Sequence, residues 1–274
     1  MSNVKELLGR HRFQHIYNGE ERSGKSFLAK NMMRNYVARG MGGGLVYNFG
    51  MEDDYPFNPT ELFPDGFEQF DIIGYKDFAY DYIKDKDQRN RFKNNPSLFL
   101  FRDYKTDKVL HFKDFNRFYW GKFVRLERIR NRTDENLFFN AVYDYISNFL
   151  FVMDDCKPIF QYGMKDQHVN LIARKNHTGK KSSIAGKVAN GVDIITMYHN
   201  ADSISKELID YGSKLVMFKT INKPRLDKKI NDPQLKETII SVWEQLNKMP
   251  QYSSISIDLV GETKYRLANT TLQL

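Results

Sequence analysis

The chain has 274 residues, of which 41% are hydrophobic and 28% are charged. This globular composition excludes a fully disordered chain, and the length suits one large domain or two small ones. The single cysteine, Cys156, excludes an intrachain disulfide and a cysteine-rich zinc site. The net charge of +8 favours a polyanionic partner without identifying it.

The N-terminal residues lack the apolar stretch of a signal peptide. Nowhere do about 18 apolar residues follow one another, which is the length that a membrane-spanning helix needs. We therefore expect no membrane span and a cytoplasmic location.

The first fifty residues predict a strand, a loop, a helix and a second strand. Residues 13–17 predict a short strand, residues 45–49 are apolar enough for a buried strand, and the apolar spacing between about 24 and 39 is that of a helix. The same alternation returns in the second half of the chain. It predicts an α/β fold with a mainly parallel central sheet flanked by helices.

Residues 51–132 differ in character, and we predict that they form an inserted, β-containing subdomain. Residues 51–71 contain seven acidic residues and no lysine or arginine. Residues 98–103 and 108–113 predict the two arms of a hairpin. Residues 117–132 contain six basic residues and one acid, interleaved with Phe118, Tyr119, Trp120 and Phe123. These aromatic side chains either fill a core or stack on nucleic-acid bases.

In the second half of the chain, the sequence predicts an alternation of helices and strands. The predicted elements are, in chain order, a helix over 134–147, a strand over 149–153, a helical region over 166–190, a strand over 193–198, a helix near 202–210, a strand over 214–218, a helix over 233–248 and a hairpin over 254–267 with its turn near Gly261. We expect a single domain over 1–274, with the insertion at 51–132 and a C-terminal helix and hairpin at 233–274.

The segment Gly19–Ser26 matches the pattern G-x-x-x-x-G-K-[ST] between a predicted strand and a predicted helix. Its glycines allow backbone N–H groups to converge on phosphate oxygens, and the helix that follows adds its positive end. In such a loop the lysine reaches the β- and γ-phosphates and the hydroxyl holds Mg²⁺. We therefore predict a phosphate-binding loop (P-loop) that binds ATP, with Lys25 as a catalytic residue and Ser26 as a metal ligand. The residues of this loop are Gly19, Glu20, Glu21, Arg22, Ser23, Gly24, Lys25, Ser26 and Phe27.

Two carboxylates follow the apolar strand that begins at Phe149. Asp154 emerges where the predicted strand ends, at the edge of an α/β sheet that binds ligands. We predict that Asp154 holds Mg²⁺, directly or through water, and that Asp155 polarises the attacking water as a general base.

A third strand ends in His199-Asn200 and is expected to lie beside the strand that ends at Asp154. A polar side chain there can sense the γ-phosphate or orient water, so both residues are catalytic candidates. Only one of the two needs to act, and a plain turn is the alternative.

These features resemble the FtsK–HerA superfamily of DNA-pumping ATPases, which includes viral genome-packaging ATPases and the Zot-like proteins of filamentous phages. The resemblance rests on the P-loop, on the strand that ends in Asp154-Asp155 and on residues 174–220, and it covers 13–50 and 135–222. The chain departs from the family's pattern at two positions. Asp155 stands where glutamate is usual, and His199 stands where glutamine is usual.

The resemblance implies a Mg²⁺-dependent ATP hydrolase that couples hydrolysis to DNA translocation, and a phage-type genome-packaging motor fits best. It also implies a homo-oligomeric ring, expected to be a hexamer, in which an arginine of one subunit completes its neighbour's ATP site. Arg174 is the candidate for this catalytic arginine, Lys180 and Lys181 are substitutes, and a plain surface charge is the alternative. A viral protein of this kind would lie in the host cytoplasm or the virion and could bind a portal or capsid protein.

Two basic segments, 117–132 and 171–190, suit contacts with the phosphate backbone of DNA, expected to be double-stranded. Such contacts carry no sequence specificity, and solvated helix faces are the alternative. A second hypothesis is a nucleotide-binding assembly or secretion protein, Zot-like, with little turnover, which the missing glutamate favours. Stimulation of ATP hydrolysis by DNA separates the two hypotheses.

Overall fold

The computed structural model describes residues 12–48, 69–73, 85–87, 100–103, 106–126, 129, 132–156, 166–187, 190–225, 230–260 and 267–271. The strands of the described part are β1 (Gln14–Asn18), β2 (Gly43–Asn48), β3 (Gln69–Ile73), β4 (Leu100–Asp103), β5 (Lys108–His111), β6 (Phe123–Leu126), β7 (Phe149–Asp154), β8 (Asp193–Tyr198), β9 (Lys214–Phe218), β10 (Ser253–Asp258) and β11 (Leu267–Thr271). The α-helices there are α1 (Lys25–Ala38), α2 (Phe115–Tyr119), α3 (Arg132–Tyr145), α4 (Asp166–Ala173), α5 (Lys206–Tyr211) and α6 (Pro233–Lys248).

These strands form one sheet in the order β11-β10-β9-β1-β8-β7-β2-β6-β3-β4-β5. The seven central strands β9, β1, β8, β7, β2, β6 and β3 pair with one another in parallel. The pairs at both ends of the sheet are antiparallel. The prediction of an α/β fold with a mainly parallel sheet is therefore confirmed.

Both faces of the sheet are buried. On one face, α1 contributes Ala29 and Met33 to a core with Tyr17, Val152 and Met197 of the strands. On the other face, apolar residues of α3, α4, α5 and α6 pack on alternate residues of the same strands. Apolar side chains on both sides explain why β7 and β8 read as almost continuous apolar runs in the sequence.

The described strands of 51–132 belong to this same sheet. β6 pairs with β2 and β3 pairs with β6, so this region extends the sheet beyond β2. β4 and β5 form the predicted hairpin. Of the acidic segment 51–71, only 69–71 lie within the described residues, and the basic residues Arg128 and Arg130 lie outside them.

The interleaved aromatic residues divide between core and surface. Tyr119 and Phe123 are buried at 1% and 2% exposure, so for these two the core interpretation is confirmed. Phe118 is 42% exposed, and the Arg117 guanidinium lies 6.0 Å from its ring centroid.

The predicted helical region over 166–190 is shorter in the structure. Helix α4 ends at Ala173, a 3₁₀ turn covers Lys175–His177, and the described residues that follow form turns. Gly179 and Gly186 both have φ +79°, a left-handed conformation that interrupts a helix. None of the helices in the described ranges is long and apolar enough to cross a bilayer.

A buried polar network joins the elements at the N-terminal edge of the central strands. The Arg12 guanidinium donates to Asp193 Oδ2 and Tyr36 Oη, both at 3.4 Å, and to Asn148 Oδ1. The Tyr36 hydroxyl donates to the same Asp193 oxygen at 2.9 Å. Because Arg12 and Asp193 are 4% and 0% exposed, these contacts satisfy charges that water does not reach.

Candidate nucleotide-binding site

The parallel strands bring the predicted site residues to one edge of the sheet. β1, β7, β8 and β9 all end there, and the P-loop, the Asp154-Asp155 pair and His199 follow directly. β8 lies between β1 and β7, which confirms the expectation that His199 follows a strand beside the strand of Asp154. Such an edge is where parallel α/β sheets bind ligands.

The P-loop runs from the end of β1 to the start of α1. The Gly19 N–H donates to the Tyr198 carbonyl at 3.1 Å, and the Ser23 N–H donates to the Glu20 carbonyl at 3.3 Å. α1 starts at Lys25, and no side chain caps its first turn. The N–H groups of that turn are therefore available to an anion, which the helix dipole also favours.

The two glycines of the motif are required for different reasons. A Cβ on Gly19 would lie 2.6 Å from Phe218 Cβ and 2.7 Å from Ser23 Oγ, so no side chain fits there. Gly24 has φ +100°, which strains any residue with a side chain. The Ser23 hydroxyl is buried and has no hydrogen-bond partner in the described part of the chain, so a ligand at the loop could satisfy it.

Lys25 is only 6% exposed. Its ammonium donates to the Gly19 carbonyl and, at 2.6 Å, to the Glu20 carbonyl. Desolvation lowers the pKa of Lys25 to about 8, and Asp154, Glu21, Asp155 and Glu20 act in the opposite direction. A phosphate would supply the full negative charge that two carbonyl groups do not.

Asp154 is the last residue of β7 and is half-buried. Desolvation raises the pKa of its carboxyl to about 6, although the Asp155 N–H donates to Asp154 Oδ1 at 2.9 Å and Lys25 is nearby. A divalent cation would favour the ionised carboxylate and offset the cost of its burial. The carboxylate of Asp154 and the hydroxyl of Ser26, the second residue of α1, are oxygen donors suited to Mg²⁺.

Asp155 adopts φ +47°, which is uncommon for a residue with a side chain. Its Oδ1 lies 3.9 Å from His199 Nε2. The next residue, Cys156, is buried: its N–H donates to the Met197 carbonyl at 3.1 Å and its thiol to the Met153 carbonyl at 3.2 Å. These bonds to β7 and β8 anchor the turn that presents Asp155, and sequence reasoning gave Cys156 no such role.

The remaining predicted residues of the loop are more exposed. Glu21 and Arg22 are exposed, Arg22 has φ +56°, and Phe27 is 37% exposed. Glu20 is held in place, because its Oε1 accepts from the Ile221 N–H at 2.7 Å. Nothing in the motif predicts this contact with the loop after β9.

Arg174 lies away from the site of its own chain. It is exposed and follows α4, and the carbonyl of the next residue, Lys175, accepts from the Val192 N–H at 2.9 Å. Val192 precedes β8, so Arg174 lies at the N-terminal edge of the sheet, opposite the P-loop. Lys180 and Lys181 lie near the same edge, where Lys181 forms an ion pair with Asp144 at 2.9 Å. A role for Arg174 in a neighbouring subunit's site stays a prediction.

Within the described residues, no group of three or more histidine, cysteine or acidic side chains forms a metal site by itself. Mg²⁺ is commonly held by one or two carboxylates together with phosphate oxygens. The combination of a free helix N-terminus, a desolvated lysine and a half-buried carboxylate is suited to a nucleoside triphosphate with Mg²⁺.

Comparison with solved structures agrees with this geometry. The chain has the P-loop NTPase fold. It aligns with the DNA-packaging ATPase B204 of Sulfolobus turreted icosahedral virus at a TM-score of 0.52 and 12% identity, over 95% of this chain and 98% of that one. It aligns with the genome-packaging NTPase B204 of Sulfolobus turreted icosahedral virus 2, in complex with AMPPCP, at a TM-score of 0.55 and 10% identity, over 96% and 98%.

A structure of the latter protein with ATP-γS aligns at a TM-score of 0.52 and 11% identity, over the same shares of both chains. At these identities the likeness establishes a shared fold. No family model matches the chain, and no curated protein matches it by sequence.

Proposed function

We propose that the protein is a Mg²⁺-dependent ATPase that uses hydrolysis to translocate DNA, as a motor that packages a viral genome. The observation that carries the proposal is the meeting of the uncapped N-terminus of α1, the buried Lys25 and the Asp154-Asp155 pair at one sheet edge. Proteins of this fold that package DNA or bind ATP analogues lend support, as does the net charge of +8.

Each residue has a role in this proposal. The N–H groups of the P-loop and Lys25 hold the phosphates. Ser26 and Asp154 would hold Mg²⁺, which when bound would neutralise charge on the transferring phosphoryl group. Asp155 accepts a proton from the attacking water, and His199, 3.9 Å away, orients the Asp155 carboxylate. Asn200 lies one residue further and lines a neighbouring cleft.

The partners belong to the same proposal. We expect a homo-oligomeric ring, a hexamer, that binds double-stranded DNA without sequence specificity, together with a portal or capsid protein. Arg174 would act in the site of an adjacent subunit, where an arginine finger stabilises charge in the transition state.

The test is steady-state ATP hydrolysis with Mg²⁺, with and without double-stranded DNA, for the natural chain and Asp155→Asn. We expect DNA to stimulate hydrolysis and the substitution to lower the rate by about 10²- to 10⁴-fold, because a general base contributes about that much. Affinity for a non-hydrolysable ATP analogue should remain. Asp210→Asn, an exposed carboxylate on α5, is the matched control and should hydrolyse ATP at the natural rate.

A nucleotide-dependent assembly or secretion protein is the second candidate. The observation that favours it is Asp155 itself, whose short side chain stands where the resembling family carries glutamate and whose backbone is left-handed. Tight analogue binding with negligible turnover under every DNA condition would favour this candidate over the motor.

A further inference from the structure

A cleft of about 710 Å³ opens at the same edge of the sheet as the P-loop. Its walls are the turn after β8, the loop after β9 and the first turns of α6. Among the residues that the structure describes, three cations line it, Lys223, Arg225 and Lys236, against a single acid, Asp202. The cleft therefore has a marked excess of positive charge, although nothing in the sequence motifs points to it.

The three cationic side chains are not engaged elsewhere. Across the described ranges, none of them forms an ion pair or a side-chain hydrogen bond. Asp202 is engaged, because its Oδ1 accepts from the Arg225 backbone N–H at 2.7 Å. Asp232 already caps α6 by accepting from the Gln234 and Leu235 N–H groups at 2.9 and 3.3 Å. Because the N-terminus of α6 is already capped, an anion in the cleft would be attracted mainly by the side chains of Lys223, Arg225 and Lys236.

The chemistry of the cleft suits phosphate better than a nucleotide base. Its described lining includes the apolar residues Pro224 and Ile240 and no aromatic ring on which a base could stack. The P-loop already provides for the phosphates of a bound nucleotide. Unpaired lysine and arginine side chains spread over a cleft of this size match successive phosphates of a nucleic-acid strand.

We propose that this cationic cleft binds the phosphate backbone of DNA beside the nucleotide site. The inference rests on the proposed function in taking DNA as the polyanion. Asn200 and Asn222 would add hydrogen bonds to phosphate oxygens, and contacts of this kind position DNA without reading its sequence.

Hydrogen bonds connect the cleft to the P-loop. In the loop after β9, the Ile221 N–H donates to Glu20 Oε1 at 2.7 Å, and Trp243 Nε1 of α6 donates to the Thr220 carbonyl at 3.1 Å. The Arg225 N–H ties the same loop to Asp202 after β8. DNA that displaces this loop therefore shifts Glu20, next to the phosphate-binding N–H groups, which is a direct route for coupling DNA binding to hydrolysis.

The test compares the full-length natural chain with the triple variant Lys223→Ala, Arg225→Ala, Lys236→Ala. Binding to a fluorescent double-stranded DNA of arbitrary sequence is measured by anisotropy at several salt concentrations. We expect the slope of log K against log[salt] to fall by up to about 3, since each lost phosphate contact removes about 0.9. The matched control, Arg39→Ala, Lys108→Ala, Lys113→Ala, removes equal charge at exposed sites outside the cleft and should keep the natural slope.

Three results would overturn the proposal. Unchanged DNA binding in the cleft variant would place the DNA elsewhere and leave the ATPase proposal intact. Loss of affinity for the ATP analogue with DNA binding retained would assign the cleft to the nucleotide. A natural chain that binds no DNA with or without the analogue would overturn both this inference and the translocation proposal.

Discussion

Burial determines the chemistry of the Lys25 ammonium. Its exposure is 6%, and its two hydrogen-bond acceptors are neutral carbonyl groups. The pKa of about 8 means that the charged form is only modestly favoured near neutral pH. The same desolvation strengthens any interaction with a phosphate, because screening by water is weak there.

The affinity for an ATP analogue is therefore expected to depend on pH. Bound phosphates stabilise the ammonium and raise its pKa, so the affinity should be highest below pH 8. Above the free-state pKa of about 8 it should fall by up to about tenfold per pH unit, because binding then requires uptake of a proton. Calorimetric titrations from pH 7 to 9.5 check this.

Lys25→Met provides the control for that titration. It should bind the analogue more weakly at every pH and lack the inflection near pH 8. A natural chain whose affinity stays constant over this range would contradict the assignment of Lys25 to the phosphates.

At the scale of the elements, the hydrogen-bond network of Arg12 joins several strands and a helix of the fold. It connects Arg12, two residues before β1, with the start of β8, with α1 through Tyr36 and with the residue before β7 through Asn148. By contrast, the ion pair between Lys214 and Asp258 joins β9 to β10 at 3.3 Å with side chains 42% and 30% exposed. Water competes with the exposed pair of Lys214 and Asp258 and hardly reaches the buried pair of Arg12 and Asp193.

Arg12→Met should accordingly lower the free energy of unfolding by about 3–5 kcal/mol, because Asp193 would remain buried without its cation. Lys214→Ala, the exposed control, should cost about 1 kcal/mol or less. Urea unfolding measures both. Adding Asp193→Asn to Arg12→Met should restore part of the loss, and the absence of any such recovery would argue against an electrostatic origin.

For the molecule as a whole, the positions of Arg174 and the P-loop restrict how the proposed ring could be arranged. The two lie at opposite edges of the sheet, so Arg174 cannot complete the site of its own chain. A ring in which Arg174 acts must bring one subunit's N-terminal sheet edge toward its neighbour's P-loop. That arrangement can be tested without a structure of the assembly.

Subunits carrying Arg174→Ala and subunits carrying Asp155→Asn should each be inactive alone, since an arginine finger contributes about 10³- to 10⁵-fold. In mixed rings, some interfaces combine an intact Asp155 with an intact Arg174 of the neighbour. We expect steady-state hydrolysis to reappear on mixing. If the mixtures stay at the level of the separate variants, Arg174 does not act between subunits.

The predictable parts of this molecule are those with a local signature. Apolar runs and the glycine–lysine pattern place β1, α1, β7 and β8, and parallel pairing then brings Lys25, Asp154 and His199 to one edge. The link from Glu20 to Ile221 spans 201 residues, and the cleft depends on three separate segments. No periodicity within one segment encodes such contacts, since they arise only from packing.

The place of β1 in the sheet also has a kinetic consequence. Its neighbours are β8 and β9, and the hydrogen bonds that join their starts to residues 13 and 14 span 180 and 199 residues. A chain emerging from the ribosome thus completes β1 and the P-loop but cannot enclose β1 until β9, about two hundred residues later in the chain, has also been synthesised. Contacts so distant in sequence fold slowly. Until they form, a strand with two open edges remains exposed to aggregation or to a chaperone.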